Sequence, residues 1–189
     1  PRIKAISFTG SLDTGKWIME ECSKTMKRVS LELGGKNPVI VMDDADLEMA
    51  LEGVLWGAFG TTGQRCTATS RLILHEKIKD EFIKRLLAKA KALRIGRGLL
   101  PETDIGPVIN KAQLEKIERY VKIGKEEGAT LLYGGNIIDL GLPGYFFEPT
   151  IFTDVRPNMR IAQEEIFGPV LGVFTVSDFE EAITLANST

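Results

Sequence analysis

The 189 residues are 43% hydrophobic and 26% charged, enough apolar material for one substantial core under an ordinary solvated surface. A formal net charge of -2 gives no electrostatic footprint for nucleic acid or an anionic membrane, and no apolar run has the length of a membrane span or a secretory leader. Two cysteines, Cys22 and Cys66, make no disulfide framework and fit a reducing, cytoplasmic setting.

Residues 2–8 predict a short strand in which Ile3, Ala5 and Phe8 seek a core. Thr9-Gly10-Ser11 opens a helix to about Lys24, capped by Ser11 or Asp13. A strand, a glycine and a helix start can cradle an anion, since unsatisfied amides and the helix dipole face the turn. The plainer alternative is a tight turn with a cap, and the string is not a G-x-G-x-x-G fingerprint. Residues 28–33 read as a second strand ending at Gly34-Gly35. Lys36-Asn37-Pro38 interrupts regular pairing, and residues 39–42 form a strongly apolar strand expected at the centre of a sheet.

Asp43-Asp44-Ala45-Asp46 supplies a turn and a cap for a helix over 47–59, with Leu51, Leu55 and Ala58 on one face and Val54 and Trp56 widening the buried surface. That helix runs out in Gly60-Thr61-Thr62-Gly63, and Cys66 lies on the connection to a strand over 71–74. Beyond it, a helix over 77–93 is scaffold, and Asn110 caps another to about Glu127 with Leu114, Ile117, Val121 and Gly124 facing inward. A strand over 129–133, a turn at Gly134-Gly135 and an exposed glycine-rich loop over 141–144 follow. The sole histidine, His75, has no second histidine for a metal constellation and reads as a surface or half-buried structural residue. Residues 170–176 form an apolar strand, and Asp178 caps a last helix to Ala186. The closing Asn187-Ser188-Thr189 matches a glycosylation acceptor only incidentally.

The residues that point to chemistry are Glu32 and Cys66. A thiol is the most nucleophilic side chain near neutral pH, and a carboxylate can activate it or a water that later removes an acyl group. By residue type alone Cys66 is a small buried hydrophobe and Glu32, between Leu31 and Leu33, an outward strand side chain. The flank of Cys66 is polar, however, with Gln64, Arg65 and Thr67, and a cation beside a thiol favours the thiolate.

Four strings occur in order: Phe8-Thr9-Gly10-Ser11 with Gly15 beyond it, Glu32-Leu33-Gly34-Gly35-Lys36-Asn37-Pro38, Gly63-Gln64-Arg65-Cys66, and Glu164-Glu165-Ile166-Phe167-Gly168-Pro169-Val170. Together they resemble the aldehyde dehydrogenase family over nearly the whole chain, matching an interior portion of a family member. The resemblance implies an α/β fold: residues 1–35 as the tail of a Rossmann-like dinucleotide-binding domain and residues 36–189 as an incomplete three-layer catalytic domain. It implies Cys66 as nucleophile and Glu32 as general base. Gly10 and Ser11 would lie against the cofactor pyrophosphate, Leu33 and Phe167 beside the nicotinamide, and Glu165 on its ribose hydroxyls. The cofactor would be NAD or NADP, the substrate a small-molecule aldehyde, the assembly a homo-dimer or homo-tetramer, and no metal would be needed.

Within the family, Cys66-Thr67-Ala68-Thr69-Ser70-Arg71 resembles members acting on semialdehydes of sugar-acid catabolism, such as 2-oxoglutarate semialdehyde, or on small hydroxyaldehydes. Two other readings stand beside carboxylate formation. One is a coenzyme A acylating relative, which the presence of Glu32 disfavours; the other is a catalytically inert structural or interaction module. An upstream asparagine of the oxyanion hole and an upstream lysine that binds the adenosine-side ribose are family features outside these residues. The 189 residues alone are therefore expected to be inert or nearly so, with bare apolar faces at residues 39–42 and 170–176.

Overall fold

In the computed structural model, which describes residues 2–189, the strand β1 (Ala5–Gly10) runs parallel to β2 (Arg28–Leu33), with helix α1 (Leu12–Ser23) as the crossover between them. This β-α-β element is one of two units into which the chain divides, Pro1–Gly35 and Lys36–Thr189. Ser11 caps α1, its Oγ accepting the Thr14 N–H at 3.3 Å. The inward face of β1 agrees with expectation at Phe8 and departs from it at Ile3 and Ala5. Ile6 and Phe8 are half-buried, whereas Ala5 is exposed and Ile3 is 64% exposed, because side chains alternate along a strand and only one parity can face α1 and the core.

The second unit is built on a five-stranded sheet. Its strands are β3 (Asn37–Val41), β4 (Thr69–His75), β5 (Thr130–Tyr133), β8 (Thr150–Thr153) and β9 (Val170–Val176), in the order β3-β4-β9-β8-β5. All neighbours are parallel except β5, which is antiparallel to β8. The strands β4 and β9 are near-continuous apolar runs because helices cover both faces. Leu72, Leu74, Leu171 and Val173 pack with Leu51, Val54 and Ala58 of α2 (Leu47–Phe59) and Phe82 and Leu86 of α3 (Lys79–Ala92). On the other face Ile73, Val170 and Phe174 pack with Leu114, Ile117 and Val121 of α4 (Lys111–Glu126) and with Ala182 of the last helix. The result is a three-layer α/β arrangement. A hairpin of β6 (Ile137–Ile138) and β7 (Phe146–Phe147), the short helix α5 (Arg160–Gln163) and the closing helix α6 (Phe179–Ala186) complete the unit. Asp46, Asn110 and Asp178 cap α2, α4 and α6, each accepting from a first-turn amide.

Four expectations are corrected here. The apolar strand after Lys36 is an edge strand, not a central one: it starts at Asn37 and includes Pro38, which lacks an N–H and is tolerated at an edge or at the register shift found between these two residues. Residues 170–176 present no bare face, since β9 is the middle strand and is covered on both sides. Trp56 does not widen the core. It is 61% exposed, with the Arg65 guanidinium 5.0 Å from its ring centroid. His75 is buried at 5% exposure at the end of β4, where its Nδ1 accepts the Lys77 N–H at 3.3 Å; its role is structural, within the core rather than on the surface. Among the described residues no helix is long and apolar enough to cross a membrane.

Candidate active site

The connection from α2 to β4 carries Cys66, and its backbone is unusual. Thr61, Thr62 and Gly63 have φ of 53°, 60° and 66°, three successive left-handed residues, two of them β-branched. Such residues persist only where their surroundings hold them. Here Thr62 Oγ1 donates to the Gly106 carbonyl at 3.0 Å, and Gln64 Oε1 accepts the Ile109 N–H at 3.0 Å. Gly63 lies so close to the 164–169 segment that a Cβ there would stand 2.2 Å from the Gly168 carbonyl oxygen. Gly63→Ala is accordingly expected to destabilise the protein by about 3 kcal/mol, from the clash and the positive φ together. Urea unfolding reads this directly, and an unchanged midpoint would mean that the two segments separate freely.

Cys66 itself is exposed, while Cys22 in α1 is buried at 3% exposure. The backbone around the thiol is held from β3: Asn37 Nδ2 donates to the carbonyls of Cys66 at 2.6 Å and Ala68 at 3.1 Å. Ala68 N–H donates to the Arg65 carbonyl at 3.0 Å, closing a tight turn with Cys66 inside it, and among the described residues no acceptor takes the Cys66 N–H. Arg65, adjacent in sequence, is engaged elsewhere. Its Nη2 donates to the carbonyls of Trp56 and Gly57 at the end of α2, at 3.1 and 3.3 Å, and its buried Nε has no partner among the described residues.

The 164–169 segment is fixed from three directions. Lys36 is buried, with Nζ donating to the Glu164 carbonyl at 2.8 Å. Burial, and then the nearby Arg71 charge, lower its pKa to about 7 against the opposing pull of Glu165 and Glu164. The Glu164 carboxylate accepts two bonds from Arg160, both at 2.9 Å, and one from Tyr120, which hold its pKa at about 2. Gln113 Nε2 donates to the carbonyls of Ile166 and Phe167 at 2.7 and 2.9 Å, and Gly168 abuts Ile117. Phe167 takes a φ of 59°, and both it and Glu165 are half-buried. The buried Arg71 ties the scaffold together, donating to the Lys36 carbonyl at 2.8 Å and to the Leu185 and Ala186 carbonyls at 2.9 and 2.8 Å.

In the first unit Gly10 ends β1 and is exposed beside the Ser11 cap. A Cβ at Gly10 would meet the tip of the Phe8 ring at 2.4 Å, and one at Gly15 would meet the end of the Leu33 side chain at 2.7 Å, so a side chain at either position would require Phe8 or Leu33 to shift. Glu32 is exposed on β2 and Leu33 half-buried, as the strand alternation of β2 requires. The predicted site residues therefore fall in both units: Gly10, Ser11, Glu32 and Leu33 in the first, Cys66, Glu165 and Phe167 in the second. Within the second, the cysteine turn and the Phe167–Gly168 backbone meet through Gly63. Among the described residues no group of three or more His, Cys, Asp or Glu is arranged to hold a metal ion.

The sequence profile of the aldehyde dehydrogenase family matches residues 1–189. The chain belongs to the aldehyde dehydrogenase family. It is 48% identical over 186 residues to betaine aldehyde dehydrogenase of Brucella anthropi, covering 97% of this chain and 38% of that protein. It is 49% identical over 189 residues to the peroxisomal aminoaldehyde dehydrogenase 2 of Pisum sativum, covering 100% of this chain and 38% of that protein. The crystal structure of betaine aldehyde dehydrogenase from Staphylococcus aureus in complex with NAD+ superposes with a TM-score of 0.95 at 44% identity, covering 98% of this chain and 37% of that one. The chain thus spans about 38% of the length of the curated relatives it matches.

Of the side chains that hold this aldehyde dehydrogenase segment in shape, several escaped the sequence reading: Lys36, Asn37, Arg71, Gln113 and Glu164. Lys36, Asn37 and Glu164 stood inside recognised strings without a role, and an Arg within the apolar run of β4 was a signal that a buried charge needed partners. Nothing about Gln113 in the sequence marked it; its partners lie more than fifty residues away.

Proposed function

We propose that the chain is the portion of an NAD(P)-dependent aldehyde dehydrogenase that carries the nucleophile, Cys66, and the general base, Glu32, and that the whole enzyme oxidises an aldehyde to a carboxylic acid. The observation that carries this reading is an exposed thiol on a strained turn braced by Asn37, Gln64 and the close approach of Gly168 to Gly63. Strain concentrated at a nucleophile and fixed by its surroundings is a mark of pre-organisation.

The Cys66 thiolate attacks the aldehyde carbon, and the oxygen becomes an oxyanion for which the Cys66 N–H, without an acceptor among the described residues, is a donor. Loss of hydride from that carbon leaves a thioester on Sγ. Glu32 then takes a proton from water, the oxygen adds to the thioester carbon, and the C–S bond breaks to return the thiolate and release the acid. When bound, the nicotinamide supplies the hydride acceptor.

The turn at Gly10-Ser11 fits the diphosphate of such a cofactor. Gly10 places no side chain there, and the first N–H groups of α1 have no intrahelical acceptor, although Asp13 in the first turn opposes an anion. Gly10 and Ser11 would bind the diphosphate, Glu165 the ribose hydroxyls, and Leu33 and Phe167 would border the nicotinamide. For the substrate, the names of the similar proteins favour small aldehydes bearing a cationic nitrogen, beside the semialdehydes and hydroxyaldehydes suggested by residues 66–71.

Product analysis on the whole enzyme, with a panel of these aldehydes and both nicotinamides, tests the reading. Free acid is expected in step with reduced cofactor, with or without coenzyme A. Release of product only as an acyl thioester, and only when coenzyme A is added, would replace it with acyl transfer.

A further inference from the structure

We propose that Asn37 is a positioning residue for the Cys66 thiol, acting through one side-chain amide that clamps the carbonyls on either side of Thr67. The proposal rests on the reading of Cys66 as nucleophile. The amide group of an asparagine has two N–H donors, and here one goes to the Cys66 carbonyl at 2.6 Å and the other to the Ala68 carbonyl at 3.1 Å. Both partners are acceptors, which fixes the orientation of the amide.

The other side-chain anchors of the turn, from Thr62, Gln64 and Arg65, all act upstream of the thiol. At residues 66–68 the Asn37 amide is the side-chain tie among the described residues, supported by the backbone bond from Ala68 to Arg65. Its base is firm: Asn37 pairs with Thr69 at the start of the edge strand β3, and its carbonyl accepts the Ser70 hydroxyl at 3.4 Å. Lys36, the preceding residue, holds the Glu164 carbonyl from its own side chain. Two successive residues thus brace the cysteine turn and the 164–169 segment from one strand end.

An aspartate of the same shape has no donor and would set a charge against two carbonyl oxygens; an alanine leaves both carbonyls without the clamp. The test is Asn37→Asp and Asn37→Ala in the whole dehydrogenase, with melting curves to certify the fold. The Asp variant keeps the side-chain volume should the Ala variant not fold. A positioning role predicts that kcat falls by about tenfold or more, that KM for aldehyde changes little, and that iodoacetamide alkylates Cys66 at a rate within about threefold of the parent, because an exposed thiol accepts a small reagent from many directions. A kcat within threefold of the parent in a folded variant overturns the proposal, and so does a loss of kcat matched by an equal loss of alkylation. Cys66→Ala assayed alongside separates the two claims. If it keeps its turnover the nucleophile assignment fails, whereas an inactive Cys66→Ala beside fully active Asn37 variants removes only the positioning role.

Discussion

Cys66→Ala is expected to lower aldehyde oxidation by the whole enzyme by about a thousandfold or more while leaving cofactor binding intact. The selectivity of that loss follows from the geometry. The turn is held by backbone carbonyls, by Gly63 against Gly168 and by the side chains of Thr62 and Gln64, and the thiol itself is exposed and fills no core volume. An alanine at this position keeps the carbonyl that Asn37 grips and the N–H proposed as the oxyanion donor. Only the thiol is removed. Cofactor titration of the variant serves as the folding control, and turnover within a few fold of the parent would assign the chemistry to another group.

The second large effect belongs to Glu32. Its carboxylate is exposed on β2, whose pairing with β1 is made by the backbone, so Glu32→Gln is expected to preserve the strand. Rapid mixing should show hydride transfer once per active site, followed by steady turnover reduced by about a hundredfold to a thousandfold, because water then lacks its base. The predicted signature is a burst that the parent does not show to the same extent. Loss of the first hydride transfer with normal cofactor binding would place Glu32 before the thioester instead.

How far the sequence could be read depended on the range of the interaction. The caps at Ser11, Asp46, Asn110 and Asp178 are bonds within one helical turn, and each is visible in the local string. The bounds of β2 and α2 were legible for the same reason, as an apolar alternation and a helical stripe. The position of β3 was not. Strand order is a property of the whole sheet, and an apolar run such as Val39 to Val41 reads alike at the edge and in the middle; Pro38 is the one local sign of an edge, and it reads equally well as an interruption of pairing. Trp56 lies near the apolar stripe of α2 but on its solvent side, where Arg65, in a turn that only the folded chain brings there, stacks over its ring.

The candidate site divides in the same way. Cys66, Glu32 and Glu165 were singled out because their neighbours form recognisable strings, which say which chemistry to look for. The bracing was hidden because it is long-range: Asn37 reaches Cys66, Lys36 reaches Glu164, and Gln113 reaches Phe167 across turns of the chain that no local pattern records. Gly63 shows both kinds of information at once. Its place in the string was legible, whereas the reason for a glycine, a carbonyl 2.2 Å from where a Cβ would stand, required the fold.

The most direct test of the central claim is the covalent intermediate. Trypsin cuts after Arg65 and Arg71, so residues 66–71 are released as one peptide with Cys66 at its start. The Glu32→Gln enzyme, mixed with aldehyde and oxidised nicotinamide, quenched in acid after the burst and digested, should yield this peptide with the mass of the acyl group added, in an amount equal to the burst. A full burst with residues 66–71 unmodified, or with the acyl group on another peptide, would contradict the assignment of Cys66 as the nucleophile.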